Sequence, residues 1–217
     1  DCCNRVLVSG CFVDAGDDAI AVRAGHHGLR KPQPCENIIV TNCILRSDYA
    51  NAIRVGVGSG EIRNCRFSDV VLNNSRGGIH INPKFNDKGS GVAISDISFD
   101  NIRGEAMSFL YVTLDYLFSK KVTYKGVLEN IRMSNLKGIS SLPIVFNGNA
   151  TGKLRNINIS DSEFRIRPFA HVPDSERKYF FVSTNRENDA NLFQTNRVEA
   201  LVLENVKTLR FAGGNQK

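Results

Sequence analysis

The sequence predicts an all-β fold, a parallel β-helix of about six to seven coils. Three observations predict it. A short strand pattern recurs along the chain, Asn, Asp or Gly follows it each time, and no helical stripe competes with it. The pattern is apolar, any, apolar, polar, then Asn/Asp/Gly, then a small or apolar residue. It reads Val6-Leu7-Val8-Ser9-Gly10-Cys11 and returns as Ile38-Ile39-Val40-Thr41-Asn42-Cys43. Shorter echoes end in Asn64-Cys65, Asp96-Ile97, Asn135-Leu136, Asp161-Ser162 and Asn205-Val206. Alternation with period two is strand periodicity. The residue that follows is of a type that tolerates the left-handed turn conformation.

A second apolar run follows several of these units: Ala19-Ile20-Ala21-Val22, Ala52-Ile53-Arg54-Val55, Gly78-Ile79-His80-Ile81 and Pro143-Ile144-Val145-Phe146. Strand, turn, strand, turn at this spacing fits a coil that stacks on its neighbours. An antiparallel sandwich is the competing fold. It needs hairpin turns such as Asn147-Gly148, and that dipeptide does not recur at coil spacing.

The 217 residues, 41% hydrophobic and 23% charged, suffice for one domain with a core. One domain over 1–217 is expected, with 164–197 breaking the repeat as a loop insertion. The opening Asp1, Cys2 and Cys3 read as the interior of a coil, so earlier coils are expected to be missing. No window of about 18 apolar residues is present, and no membrane partner is expected. The net charge of +6 favours anionic partners, although it also serves solubility.

The six cysteines, at 2, 3, 11, 35, 43 and 65, form no CxxC pair. Cys11, Cys43 and Cys65 share one repeat context and should stack as a ladder of buried thiols rather than pair as disulfides.

Stacking also gathers chemistry. Aligning Ile20, Ile53 and Ile79 brings Ala21, Arg54 and His80 into one column and Arg23, Gly56 and Asn82 into another. Before the isoleucines, Asp18 meets Asn51 and Gly77, and Asp17 meets Ala50 and Arg76. Coils about 4.8 Å apart would crowd Asp17, Asp18, Asn51, Arg23, Arg54, Arg76 and His80 into one patch. Two carboxyl groups are what glycosidic hydrolysis uses, one to protonate the leaving oxygen and one to activate water or attack. Cations beside them suit an acidic sugar. Taken alone, Gly16-Asp17-Asp18 also fits a solvated turn.

The stretch from Asn4 through Gly16-Asp17-Asp18-Ala19-Ile20-Ala21-Val22-Arg23-Ala24-Gly25 resembles glycoside hydrolase family 28, the polygalacturonases and their relatives. That family carries Gly-Asp-Asp-x-Ile-x-Ile-Lys-Ser-Gly after a strand ending in Asn-Cys. The run Cys35-Glu36-Asn37-Ile38-Ile39-Val40-Thr41-Asn42-Cys43 and the later Leu142 to Gly148 and Leu154 to Ile159 are similar as well. The match covers roughly residues 1 to 165. It implies a right-handed, pectin-lyase-like β-helix that hydrolyses galacturonan with inversion. By this resemblance Asp17 is the general acid and Asp18 one of the carboxylates that activate water.

The sequence departs from that family in three places. The third carboxylate, in an Asn-Thr-Asp motif, would lie before Asp1. The family's Gly-His-Gly is here Ala50-Asn51-Ala52, and its Arg-Ile-Lys is His80-Ile81-Asn82. The basic residues of those motifs grip galacturonate, and Arg54 beside His80 offers a displaced arginine. Arg23, Asn51, Arg54, His80 and Asn82 are therefore the expected substrate contacts. His26, in the loop after the second strand, and Tyr116 join them. Tyr111 is the alternative to Tyr116 for stacking on a sugar.

The expected partner is a polysaccharide or oligosaccharide, bound by a monomer without cofactor or metal. The compartment stays open, with a secreted or periplasmic one favoured. Basic and aromatic residues between Phe164 and Phe193 could contact single-stranded nucleic acid, but a loop beside the groove fits better and no nucleic-acid partner is expected. Two other readings remain: a non-catalytic glycan-binding or structural β-helix, and a polysaccharide lyase or epimerase. A lyase would require calcium-binding carboxylate clusters and a basic residue as base.

Overall fold

A computed structural model describes residues 1–25, 33–84, 90–114, 124–167 and 192–211. Among the described residues every regular element is a β-strand, and no helix is long and apolar enough to cross a membrane. All pairings between strands are parallel. Parallel neighbours need a crossover rather than a hairpin, and this removes the antiparallel sandwich.

The main column of strands is β1 (Asn4–Ser9), β4 (Cys35–Ser47), β5 (Asn51–Asn82), β6 (Gly91–Thr113), β7 (Val127–Ser134), β10 (Lys153–Ile166) and β12 (Glu199–Arg210), paired in that order. The register runs unbroken along one line, though it is not everywhere the one the repeat implies: Val6 faces Ile38, Ile38 faces Cys65, Cys65 faces Ile97, Ile97 faces Ile131, Ile131 faces Ile157 and Ile157 faces Leu201. Two further columns complete each coil. One contains β2 (Phe12–Ala15), beside β4, and β8 (Lys137–Ser140), between β6 and β10. The other contains β3 (Ile20–Ala24), beside β5, and β9 (Ile144–Asn147) with β11 (Phe193–Asn196). Where the repeat reads as two strands per coil, the folded chain has three columns.

Every second side chain points inward. Val40, Phe67, Phe99 and Met133 stack along one inner line and are essentially buried. The Phe67 and Phe99 rings lie 4.9 Å apart and are tilted by only 10°. Like residues on like let each inner column run dry through the stack, where burial stabilises by about 25 cal/mol per Å² of apolar surface.

The corners explain the recurring Asn and Asp. Gly10, Asn42, Asn64, Asp96, Asn135, Asp161 and Asn205 all adopt positive φ, as the turn chemistry requires. They do not form one column. Asn64 donates its amide to Asn37 at 2.5 Å and Asn37 donates to Asn4 at 2.9 Å, on one corner. Asn101 donates to Asp69 at 2.7 Å and Asn205 to Asp161 at 2.8 Å, on another. Each amide thus satisfies the acceptor of the next coil.

This double ladder corrects the cysteine column. Cys65 faces Ile38, whereas Cys43 faces Val70, because the same motif marks two different corners. Cys35, Cys43 and Cys65 are buried and Cys11 is exposed, and all six cysteines are free thiols. Burial pushes the Cys65 thiol up to about 12.

Candidate functional site

The corner between β2 and β3 carries Gly16, Asp17 and Asp18, and the corner between β4 and β5 lies one coil further on. Asp17 is exposed and Asp18 half-buried. The Ser47 hydroxyl donates to the Asp17 carbonyl oxygen at 2.8 Å. The Asp18 amide donates to Asp17 Oδ1 at 2.7 Å, which fixes the Asp17 carboxyl group against the turn. Asp18 Oδ1 accepts from the Asn51 backbone amide at 3.0 Å and from Asn51 Nδ2 at 2.7 Å. A carboxylate oxygen held by two N–H donors is fixed in position.

Asn51 links this carboxylate to the cations. His80 Nδ1 lies 3.0 Å from Asn51 Oδ1 and 3.1 Å from Arg54 Nη1. Only a protonated Nδ1 can donate to the Asn51 oxygen, and only a bare Nδ1 can accept from the guanidinium. One nitrogen cannot do both, so the tautomer of His80 decides which neighbour it holds. The edge of the His80 ring meets Tyr111, with centroids 4.8 Å apart at 71°. Tyr111 is buried.

Arg54 is 4% exposed. Burial pushes its guanidinium below the usual range. The charges of Asp18 and Asp17 act against that, and Arg23 adds to it. A buried guanidinium without a nearby carboxylate would be costly, and the charges of Asp18 and Asp17 offset part of that cost for Arg54.

The sequence alignment of the second strands holds at Ile20 with Ile53, Ala21 with Arg54 and Val22 with Val55. It then slips, because Ala24 faces Gly58 rather than Val57. Gly56, Val57 and Gly58 all have positive φ, and this bulge consumes the extra residue. A Cβ on Gly58 would sit 1.7 Å from the Ala24 carbonyl oxygen, so only glycine fits there. Arg23 therefore sits opposite the bulge. Its Nε is buried and makes no hydrogen bond among the described residues.

Asn82 stands apart from the expected contacts. It is 0% exposed and donates to the Thr113 carbonyl oxygen at 3.2 Å, so its amide serves the fold rather than the surface. Arg76 Nη1 donates to the Tyr49 carbonyl oxygen at 2.6 Å. His26 and Tyr116 lie outside the described residues. Among the described residues no three His, Cys, Asp or Glu side chains are grouped to hold a metal ion.

Sequence reasoning did not single out Ser47 and Ser75. The Ser75 hydroxyl accepts from the Ser47 amide at 3.1 Å, and the Ser47 hydroxyl also accepts from the Ala50 amide at 3.0 Å. Ser140 plays the same part later, where its hydroxyl accepts from the Phe109 amide at 3.1 Å. A buried serine recurring just before the last strand of a coil was the available sign. These hydroxyls satisfy backbone groups that the sharp corner leaves without a ladder partner.

The comparisons agree with this architecture. The sequence profile described as "Glycosyl hydrolases family 28" matches residues 1–165. A "Probable polygalacturonase" of Vitis vinifera is 30% identical over 133 residues, which cover 60% of this chain and 25% of that protein. The chain thus spans about a quarter of the length of that relative. No solved structure matches. With three quarters of the chain matched, Gly16-Asp17-Asp18 included, this protein belongs to glycosyl hydrolase family 28.

Proposed function

We propose that the chain forms the catalytic face of an inverting glycoside hydrolase that acts on pectin-like or other uronic-acid-containing polysaccharide. Asp17 donates the proton to the leaving oxygen, and Asp18 helps to activate water. The observation that carries this reading is the close set Asp18, Asn51, His80 and Arg54, which brings a carboxylate and a buried cation together on adjacent coils, with His80 Nδ1 within reach of both Asn51 and Arg54. Asp17 stands exposed at its edge, where a polymer can reach it. Arg23, Arg54 and His80 supply the positive field that an acidic sugar needs. The reading includes one right-handed β-helix over 1–217. Right-handed crossover between parallel strands is the general rule.

A second reading is a non-catalytic β-helix that binds glycan. Asn51 favours it, because an amide stands where the family has a histidine. The discriminating experiment is reducing-sugar release by the full-length protein on a panel of pectic polysaccharides. Release from a uronic-acid polymer supports the hydrolase. Binding to a polymer without release supports the second reading.

Arg54 gives a prediction within this proposal. Arg54→Ala removes the buried cation that the Asp18 and Asp17 charges act on. The expected result is a loss of about 10²-fold in kcat/KM on the uronic-acid polymer, the size of a truncated charge pair of about 3 kcal/mol. Activity within about twofold of wild type, where each factor of ten is about 1.4 kcal/mol, would remove Arg54 from substrate recognition.

A further inference from the structure

Tyr49 is 73% exposed, and it lies in the corner between β4 and β5 that adjoins the carboxylates. Ala15 faces Ser47, which sets Gly16 beside Asp48, and the Ala19 amide donates to the Asn51 carbonyl oxygen at 2.9 Å, so Tyr49 is the next residue along the same corner. Gly16 has no side chain, and a Cβ built on it would meet nothing within 4 Å. The surface next to the Tyr49 corner is thus left open on the side of Asp17.

The backbone is held on both sides of Tyr49. The Asp48 amide donates to the Ala15 carbonyl oxygen at 3.1 Å, and the Ala50 amide donates to the Ser47 hydroxyl at 3.0 Å. The Tyr49 carbonyl oxygen accepts from Arg76 at 2.6 Å. The Asp48 carboxylate is paired with Arg46, which also binds Asp14 at 2.8 Å. A corner tied this closely, with an aromatic ring turned to water, has no role in the core. An aromatic ring that needs little ordering on binding is a low-cost platform for a ligand with one apolar face and polar edges.

We infer that Tyr49 is a specificity-determining residue that stacks on a pyranose ring of the polysaccharide one sugar away from the bond cleaved beside Asp17. This rests on the hydrolase reading for the site itself. The pyranose presents its C–H face to the ring, while its hydroxyl and carboxylate groups stay in water or reach the cations.

These 217 residues contain no tryptophan, so within them Tyr49→Trp is a single fluorescent reporter. Titration with hexagalacturonate should shift or quench its emission saturably, in the Asp17→Asn background as well. Tyr49→Ala should raise KM about tenfold with a smaller change in kcat, since truncating one stacked aromatic anchor removes binding rather than chemistry. Tyr49→Phe should keep the wild-type KM, because stacking uses the ring and not the hydroxyl. An active wild-type enzyme with unchanged KM in Tyr49→Ala and a silent Tyr49→Trp overturns the inference and leaves the hydrolase intact. An inactive wild-type protein whose Tyr49→Trp variant still responds to hexagalacturonate overturns the hydrolase and keeps Tyr49 as a sugar contact.

Discussion

Asp17→Asn should abolish most of the hydrolysis, with kcat reduced by about 10²- to 10⁴-fold, the range for loss of a positioned general acid. The substitution is nearly isosteric. An amide oxygen can still accept from the Asp18 amide, so the 2.7 Å turn contact survives and the corner keeps its shape. What disappears is a proton that can move to the leaving oxygen. Aryl glycosides with good leaving groups need that proton less, so the variant should lose less on them than on polymer. Reducing-end release and aryl release by the same preparation check this. Rates within about threefold of wild type on polymer, a difference under 1 kcal/mol, would show that Asp17 is not the acid.

Phe99→Ala should destabilise the fold by about 3–5 kcal/mol, the usual cost of emptying a large aromatic site in a core. Phe99 is 0% exposed, stacks on Phe67 and lies between Phe67 and Met133 in register. A neighbouring coil cannot close the gap without breaking its own ladder. Coils interact only with those above and below, so the loss enters both interfaces of the affected coil. Urea unfolding followed by circular dichroism reads it as a fall in midpoint. Phe99→Leu should cost clearly less. A shift of under about 1 kcal/mol in Phe99→Ala would mean that the inner aromatic line is not close-packed.

Much of the site was legible in the sequence because in-register parallel stacking converts alignment into contact. Aligning Ile20, Ile53 and Ile79 put Asp18 beside Asn51 and Arg54 beside His80, and these groups do touch. The same reasoning failed where the register changes. The bulge at Gly56 to Gly58 shifts the pairing after Val22, so that Ala24 faces Gly58, and nothing in an apolar pattern announces one extra residue. It failed again for the cysteines, because Asn and Asp mark two corners with one motif and the eye merges them. Asn82 was expected to contact substrate, yet it is buried and its amide donates to the Thr113 carbonyl oxygen. The serines at the corners went unread for a related reason. Ser47 and Ser75 act through backbone groups, whose needs depend on the bend and not on the residues that flank it.

The amide ladders have a consequence for how this chain can change over time. Partners on successive coils are separated by 32, 27, 32, 34, 26 and 44 residues. The line from Val6 through Ile38, Cys65, Ile97, Ile131 and Ile157 to Leu201 nevertheless stays in register. Length is therefore a free variable between corners, while the strands are fixed. Insertions and deletions can accumulate in one coil without moving Asp17 or Asp18. A search for constant period would overlook this repeat, since it is conserved in space and not in counting.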